Sequence, residues 1–171
     1  MRSLRWSFRI FVVFPLLLVA GCDHRMASQQ NVDVCALMLD AATSALHGAP
    51  AAERGAGTCQ FHVDREDGGG GRIHVAVLTR AAVGGSRKLD RALRLILADN
   101  AQSYGSPGSP EFGDLAELAV GFGDSSAALR QVVVAERGVI LEVFIGAGTE
   151  LGRDEVVALT RELWGRVIAY R

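Results

Sequence analysis

Two kinds of hydrophobic spacing follow one another along the chain, and their order predicts its elements. Val34, Leu37, Met38, Ala41, Ala45 and Leu46 fall on one helical face behind Asp33, a residue type that caps helix N-termini, so a helix is expected to about His47. Gly48 and Pro50 should end it, and residues 49–57 read as a small, flexible loop. Period-two alternation then marks Thr58–Asp64 and Arg72–Thr79 as a hairpin whose turn is the glycine-rich segment 65–71. Ser86 opens a second helix to about Ala101. Its buried stripe is Leu89, Ala92, Leu93, Ile96 and Leu97, and Arg87, Lys88, Arg91 and Arg94 form a solvated face. The breaker-rich stretch 104–113 is a crossover. Three strands follow, at about Leu115–Val120, Leu129–Glu136 and Val139–Ile145, the last two joined tightly at Arg137-Gly138. A final helix runs from about Arg153 to Tyr170, with Val156, Leu159, Leu163, Val167 and Tyr170 inward and Trp164 at the margin.

The expected order is α-β-β-α-β-β-β-α. Hairpins dominate and no βαβ rhythm recurs. The prediction is an α+β fold, an antiparallel sheet of about five strands with helices packed on one face. Centring the first hairpin on Gly68 puts Asp64 opposite Arg72, Val63 opposite Ile73, His62 opposite His74, Phe61 opposite Val75 and Cys59 opposite Val77. His62 and His74 would then stand side by side on the outer face. With Gln60 or Asp64 nearby they offer zinc or copper two imidazoles, an incomplete ligand set.

The N-terminus carries a different pattern. Arg2, Arg5 and Arg9 flank the start of an apolar run from Ile10 to Ala20, and no acidic residue precedes Asp23. Such a run makes a helix of about 16 Å, short of the ~20 residues that span a bilayer, and reads as the hydrophobic part of a signal peptide. It ends in Val19-Ala20-Gly21-Cys22, which resembles the lipobox of bacterial lipoproteins. The resemblance implies that residues 1–21 are removed and that Cys22 becomes a diacylglyceryl- and palmitate-bearing N-terminus. Residues 22–31 are then a short polar tether, and 32–171 one domain on the outer side of the cytoplasmic membrane. More than one acyl chain is needed for stable attachment, which such an anchor supplies. Asp23 favours retention at the inner membrane, with sorting to an outer membrane as the alternative.

Charge narrows the partners. Without the three arginines of the signal, the eighteen basic residues fall to fifteen against nineteen acids, a formal charge near −4. That is no footprint for nucleic acid or for anionic lipid surfaces. Of the three cysteines, a lipidated Cys22 leaves Cys35 and Cys59 as a pair in an oxidising compartment, where a disulfide is the expected fate. Free thiols and a metal or redox site are the alternatives.

Asp33-Val34-Cys35-Ala36-Leu37-Met38, with Cys59-Gln60-Phe61 further on, resembles a family of small actinobacterial-type lipoproteins of unknown function. That family places Asp-Pro-Cys-x-Leu-Leu on a first helix and Cys-x-Trp on a first strand. Gly121-Phe122-Gly123-Asp124 before a hairpin is similar too. The resemblance implies the α+β fold and the disulfide, and it brings no active site.

A search for chemistry finds no Gly-x-Ser-x-Gly elbow and no His-Glu-x-x-His. Ser125-Ser126 has no nearby histidine, and Glu66-Asp67 and Asp154-Glu155 suit a turn and a helix start. The four glycines 68–71 lead into a strand without a Lys-Ser/Thr and do not make a phosphate loop. The expectation is therefore a membrane-anchored envelope lipoprotein that binds or assembles, without a cofactor. Its partners would be the membrane and an envelope protein, glycan or lipid. A metal-dependent or other hydrolytic enzyme is the alternative. The anchor is directly testable: Cys22→Ala should abolish labelling by a clickable palmitate analogue and leave an unprocessed precursor, and continued labelling would refute it.

Overall fold

The computed structural model describes residues 32–64, 70–105, 108, 112–123, 129–146 and 148–170. Cys22, Glu66, Asp67, Asp124, Ser125 and Ser126 lie outside these. Helix α1 spans Val34–Ala45. The Asp33 carboxylate accepts from the backbone N–H of Ala36 at 3.0 Å, satisfying a donor that the helix leaves open. Strands β1 (Ala51–Gly55), β2 (Thr58–Asp64) and β3 (Gly70–Thr79) follow, then a short helix α2 (Arg80–Val83) and the long α3 (Ser86–Tyr104). Strands β4 (Leu118–Phe122), β5 (Gln131–Glu136) and β6 (Val139–Ile145) and helix α4 (Arg153–Ala169) complete the order.

The six strands form one antiparallel sheet in the order β1-β2-β3-β6-β5-β4. The class is the expected α+β, but the five strands are six. Residues 51–55, expected as loop, pair with β2 from Ala51–His62 to Gly55–Thr58. Every residue of β1 is exposed, so this edge strand carries no apolar alternation to announce it. The turn between β1 and β2 needs glycine: Gly57 has φ +74°, and a Cβ there would come within 2.9 Å of the Val77 carbonyl. The β5–β6 turn at Arg137-Gly138 forms where expected, with φ of 48° and 84°. Both residues in the left-handed region is what a tight hairpin requires.

The expected placement of all helices on one face is also corrected. On the inner face, Ile73, Val75, Val132, Val134, Leu141 and Val143 pack with Met38 of α1 and Leu163 of α4. The Arg166 guanidinium donates to the Leu37 carbonyl at 2.8 Å, tying α4 to α1. On the outer face, Leu89 of α3 packs with Phe122, Val133, Ala135 and Ile140. Strand β5 is apolar from Val132 to Ala135 because both of its faces are covered there. Trp164, expected at the margin, is buried in the inner core because α4 packs on α1 as well as the sheet, whereas Tyr170 at the helix end is half exposed.

The β2–β3 ladder is shifted by two residues from the expected register. Asp64 pairs with Gly70, Val63 with Gly71, His62 with Arg72, Phe61 with Ile73, Gln60 with His74 and Cys59 with Val75. An even shift keeps every side chain on its expected face. Gly71 belongs to the strand and not the turn, and it is glycine because a Cβ there would lie 2.5 Å from the Leu46 side chain, which is buried just past α1.

A disulfide joins Cys35 in the first turn of α1 to Cys59 on β2, with Cα atoms 5.1 Å apart. Both cysteines are buried, so the bridge pins α1 to the sheet inside the core. Among the described residues no helix is long and apolar enough to cross a membrane. Closing a loop of 24 residues constrains the unfolded chain by about 3 kcal/mol, a large part of a typical ~5–15 kcal/mol stability. Cys35→Ala with Cys59→Ala should therefore lower the urea unfolding midpoint by an amount equivalent to about 3 kcal/mol of unfolding free energy. An unchanged midpoint would show that the bridge adds no stability.

Candidate functional site

The outer face of the sheet is only partly covered, and the chain's path after β3 explains why. Thr79 ends β3 and caps α2, its hydroxyl accepting from the Ala82 N–H at 3.1 Å. Gly84 and Gly85, with φ of +78° and +128°, then turn the chain into α3. Helix α3 lies over β4 and β5. Beside it, the outer face of β3 stays open as the floor of a groove of about 700 Å³. His74, Ala76 and Leu78 of β3 form that floor with Glu142 of β6. Val83, Ala92, Leu95 and Ile96 form one wall, and Val32, Gly57 and Thr58 stand on the opposite rim. The volume lies inside the ~300–1,000 Å³ range typical of small-molecule sites. Leu95 is 61% exposed, which for a large aliphatic side chain on a helix wall is costly unless something covers it.

Two ionisable groups sit in this groove, and burial shifts both toward neutrality. His74 is held below the usual histidine range by desolvation. Glu142 is pushed above the usual carboxyl range, first by burial and further by the Asp99 charge, while a hydrogen bond from Gln131 Nε2 partly offsets this. Glu142 is a lone acid within Val-Ile-Leu-Glu-Val-Phe-Ile, a signal that its position in the sequence already carried. Leu95, off the buried stripe of α3, was the other legible sign.

The other sequence-derived candidates are placed as follows. His62 and His74 share the outer face but not a rung; they are diagonal neighbours, with Arg72 opposite His62 and Gln60 opposite His74. Such diagonals stand about 7–8 Å apart. Among the described residues no group of three or more His, Cys, Asp or Glu comes together to hold a metal. His62 Nδ1 is buried without a hydrogen-bond partner there. Cys35 and Cys59 are joined to each other, so neither is a nucleophile. Arg87, Lys88, Arg91 and Arg94 of α3 are exposed, as expected for a solvated face. A second hollow, about 220 Å³ between α1 and α4, is lined by His47, Glu155 and Glu162. Its carboxylates are already engaged, Glu155 by the Gly152 N–H at 2.7 Å and Glu162 by Arg166 at 2.7 Å.

No family model, curated protein or solved structure matches this chain. The groove is therefore read from its own geometry.

The pKa shifts have opposite consequences. A carboxyl raised in the folded state costs stability as pH climbs from its unfolded value through the raised one, and the full cost persists above. A histidine lowered in the folded state costs stability as pH falls from its unfolded value through the lowered one. Glu142→Gln keeps an acceptor for Gln131 and removes the charge. It should stabilise the protein by roughly 1 kcal/mol at pH 8 and by much less at pH 4, in thermal unfolding at the two pH values. An equal gain at both would refute the burial argument.

Proposed function

We propose that this chain is a lipid-anchored envelope protein that binds its ligand without transforming it, and that the ligand is an amphiphile seated in the groove beside α3. The observation that carries this reading is the groove itself, apolar on its floor and wall with two neutral-leaning polar groups among them. Apolar lining with a few placed polar groups is the usual composition of a small-molecule site. Catalysis would ask for an activated nucleophile or a third metal ligand. The groove's hydroxyls are Thr58 and Thr79, and the latter is engaged in capping α2.

The anchor supports the same reading. Val32, on the groove's rim, directly follows the segment expected to be the tether. Residues 23–31 reach at most about 30 Å when fully extended, which keeps the rim close to the lipid carried on Cys22. An amphiphile of the membrane is then the nearest ligand.

Fluorescence titration of the mature chain with the neutral probe N-phenyl-1-naphthylamine tests this. Leu95→Asp should weaken binding at least about tenfold by placing a charge on the groove wall. Leu39→Asp, at a 41% exposed leucine of α1, should leave it unchanged. Equal binding by both variants, or none by the parent protein, would overturn the reading.

A further inference from the structure

Resting on the groove as a ligand site, we propose that its occupant is a single-chain fatty acid, lying along β3 with its carboxylate at Arg72 and its tail toward Leu95 and Ile96.

The outer face of β3 reads Arg72, His74, Ala76, Leu78, one side chain every ~6.6 Å. The strand thus grades from a cation through a half-buried imidazole to apolar floor. An amphiphile has this gradient, with charge at one end only. The head end matches in sign. Arg72 is exposed, lies one outer-face position beyond His74, where the groove's lining begins, and its guanidinium has no partner among the described residues. A guanidinium takes a carboxylate with two parallel hydrogen bonds.

The backbone of Arg72 is fixed on both sides. The Thr149 hydroxyl accepts from its backbone N–H at 2.7 Å and donates to its carbonyl at 3.0 Å, and the Gly146 N–H donates to that carbonyl at 2.8 Å. Gly146 flanks Arg72 from the β6 side, and a Cβ on it would lie 2.8 Å from the Arg72 Cβ. Glycine is needed there because Arg72 itself fills the space that a side chain would take. Midway along the floor, on the rung of Ala76, Glu142 turns toward Gln131 and its burial disfavours the anion, so it repels a carboxylate little. The groove's volume suits one acyl chain better than the two of a diacyl lipid.

The test uses the mature chain and a fluorescent fatty acid, 11-(dansylamino)undecanoate, against its methyl ester. The parent protein should bind the carboxylate at least about tenfold more tightly than the ester. Arg72→Ala should remove that difference while leaving the ester and N-phenyl-1-naphthylamine unaffected, and Arg72→Lys should restore part of it. Equal affinity for acid and ester, or an Arg72→Ala variant that loses both alike, would overturn the head-group assignment. Displacement by lysophosphatidylglycerol at lower concentration than by palmitate would overturn the fatty acid in favour of a phosphodiester lipid. If the neutral probe still binds and Leu95→Asp still weakens it, the groove reading survives those failures. If neither probe binds, both fall.

Discussion

One sheet has two faces, and in this chain the helices divide between them unequally. Helices α1 and α4 close the inner face, where Phe61, Met38, Leu141 and Val143 are excluded from solvent. On the outer face only α3 is long enough to cover strands, and its apolar stripe is used on β4, β5 and Ile140. Burying apolar area drives both layers. A single helix cannot shade six strands about 4.8 Å apart, so roughly half of the outer face is left over. The groove is that remainder. Its floor belongs to β3 because β3 pairs with β6 and thereby joins the covered half of the sheet to the open one.

Local pattern made much of this legible, and long-range pairing hid the rest. The spacing of Val34, Met38 and Ala41 and the capping Asp33 foretold α1, and Arg137-Gly138 foretold the tightest hairpin, because in each case the decisive interactions lie within four residues. Cysteine arithmetic gave the Cys35–Cys59 bridge. Edge strand β1 escaped because nothing packs on Ala51–Gly55, so burial leaves no mark on its residues. The register of β2 with β3 escaped because Gly71 reads as turn until Leu46, far away in sequence, is seen to occupy its side-chain space. The second helical layer was in view, since Val-Val-Val-Ala of β5 is apolar on both faces, a pattern that one-sided cover cannot explain. The groove itself was not readable. It depends on where α3 comes to rest across the sheet, which no local period encodes.

The groove's two ionisable groups cost the fold something and are retained. Burial disfavours the charge on both His74 and Glu142. An apolar residue at either place would pack there without that penalty. Glu142 offsets part of it through Gln131, its diagonal neighbour on β5. Buried polar groups kept against the trend of a strand sit more naturally in a ligand site than in a wall that only needs filling.

The proposed anchor changes how strongly such a site needs to bind. A domain whose tether reaches at most about 30 Å would sample a thin layer above the membrane, and a ligand drawn from that layer would be met at the effective concentration that the tether sets. Modest affinity then suffices for occupancy. An open groove, with Leu95 still 61% exposed, is the geometry that modest affinity and ready release require, whereas an enclosed cavity would favour retention. With the proposed anchor, the half-covered face and a short tether would act in the same direction, toward an exchangeable ligand taken close to the membrane surface.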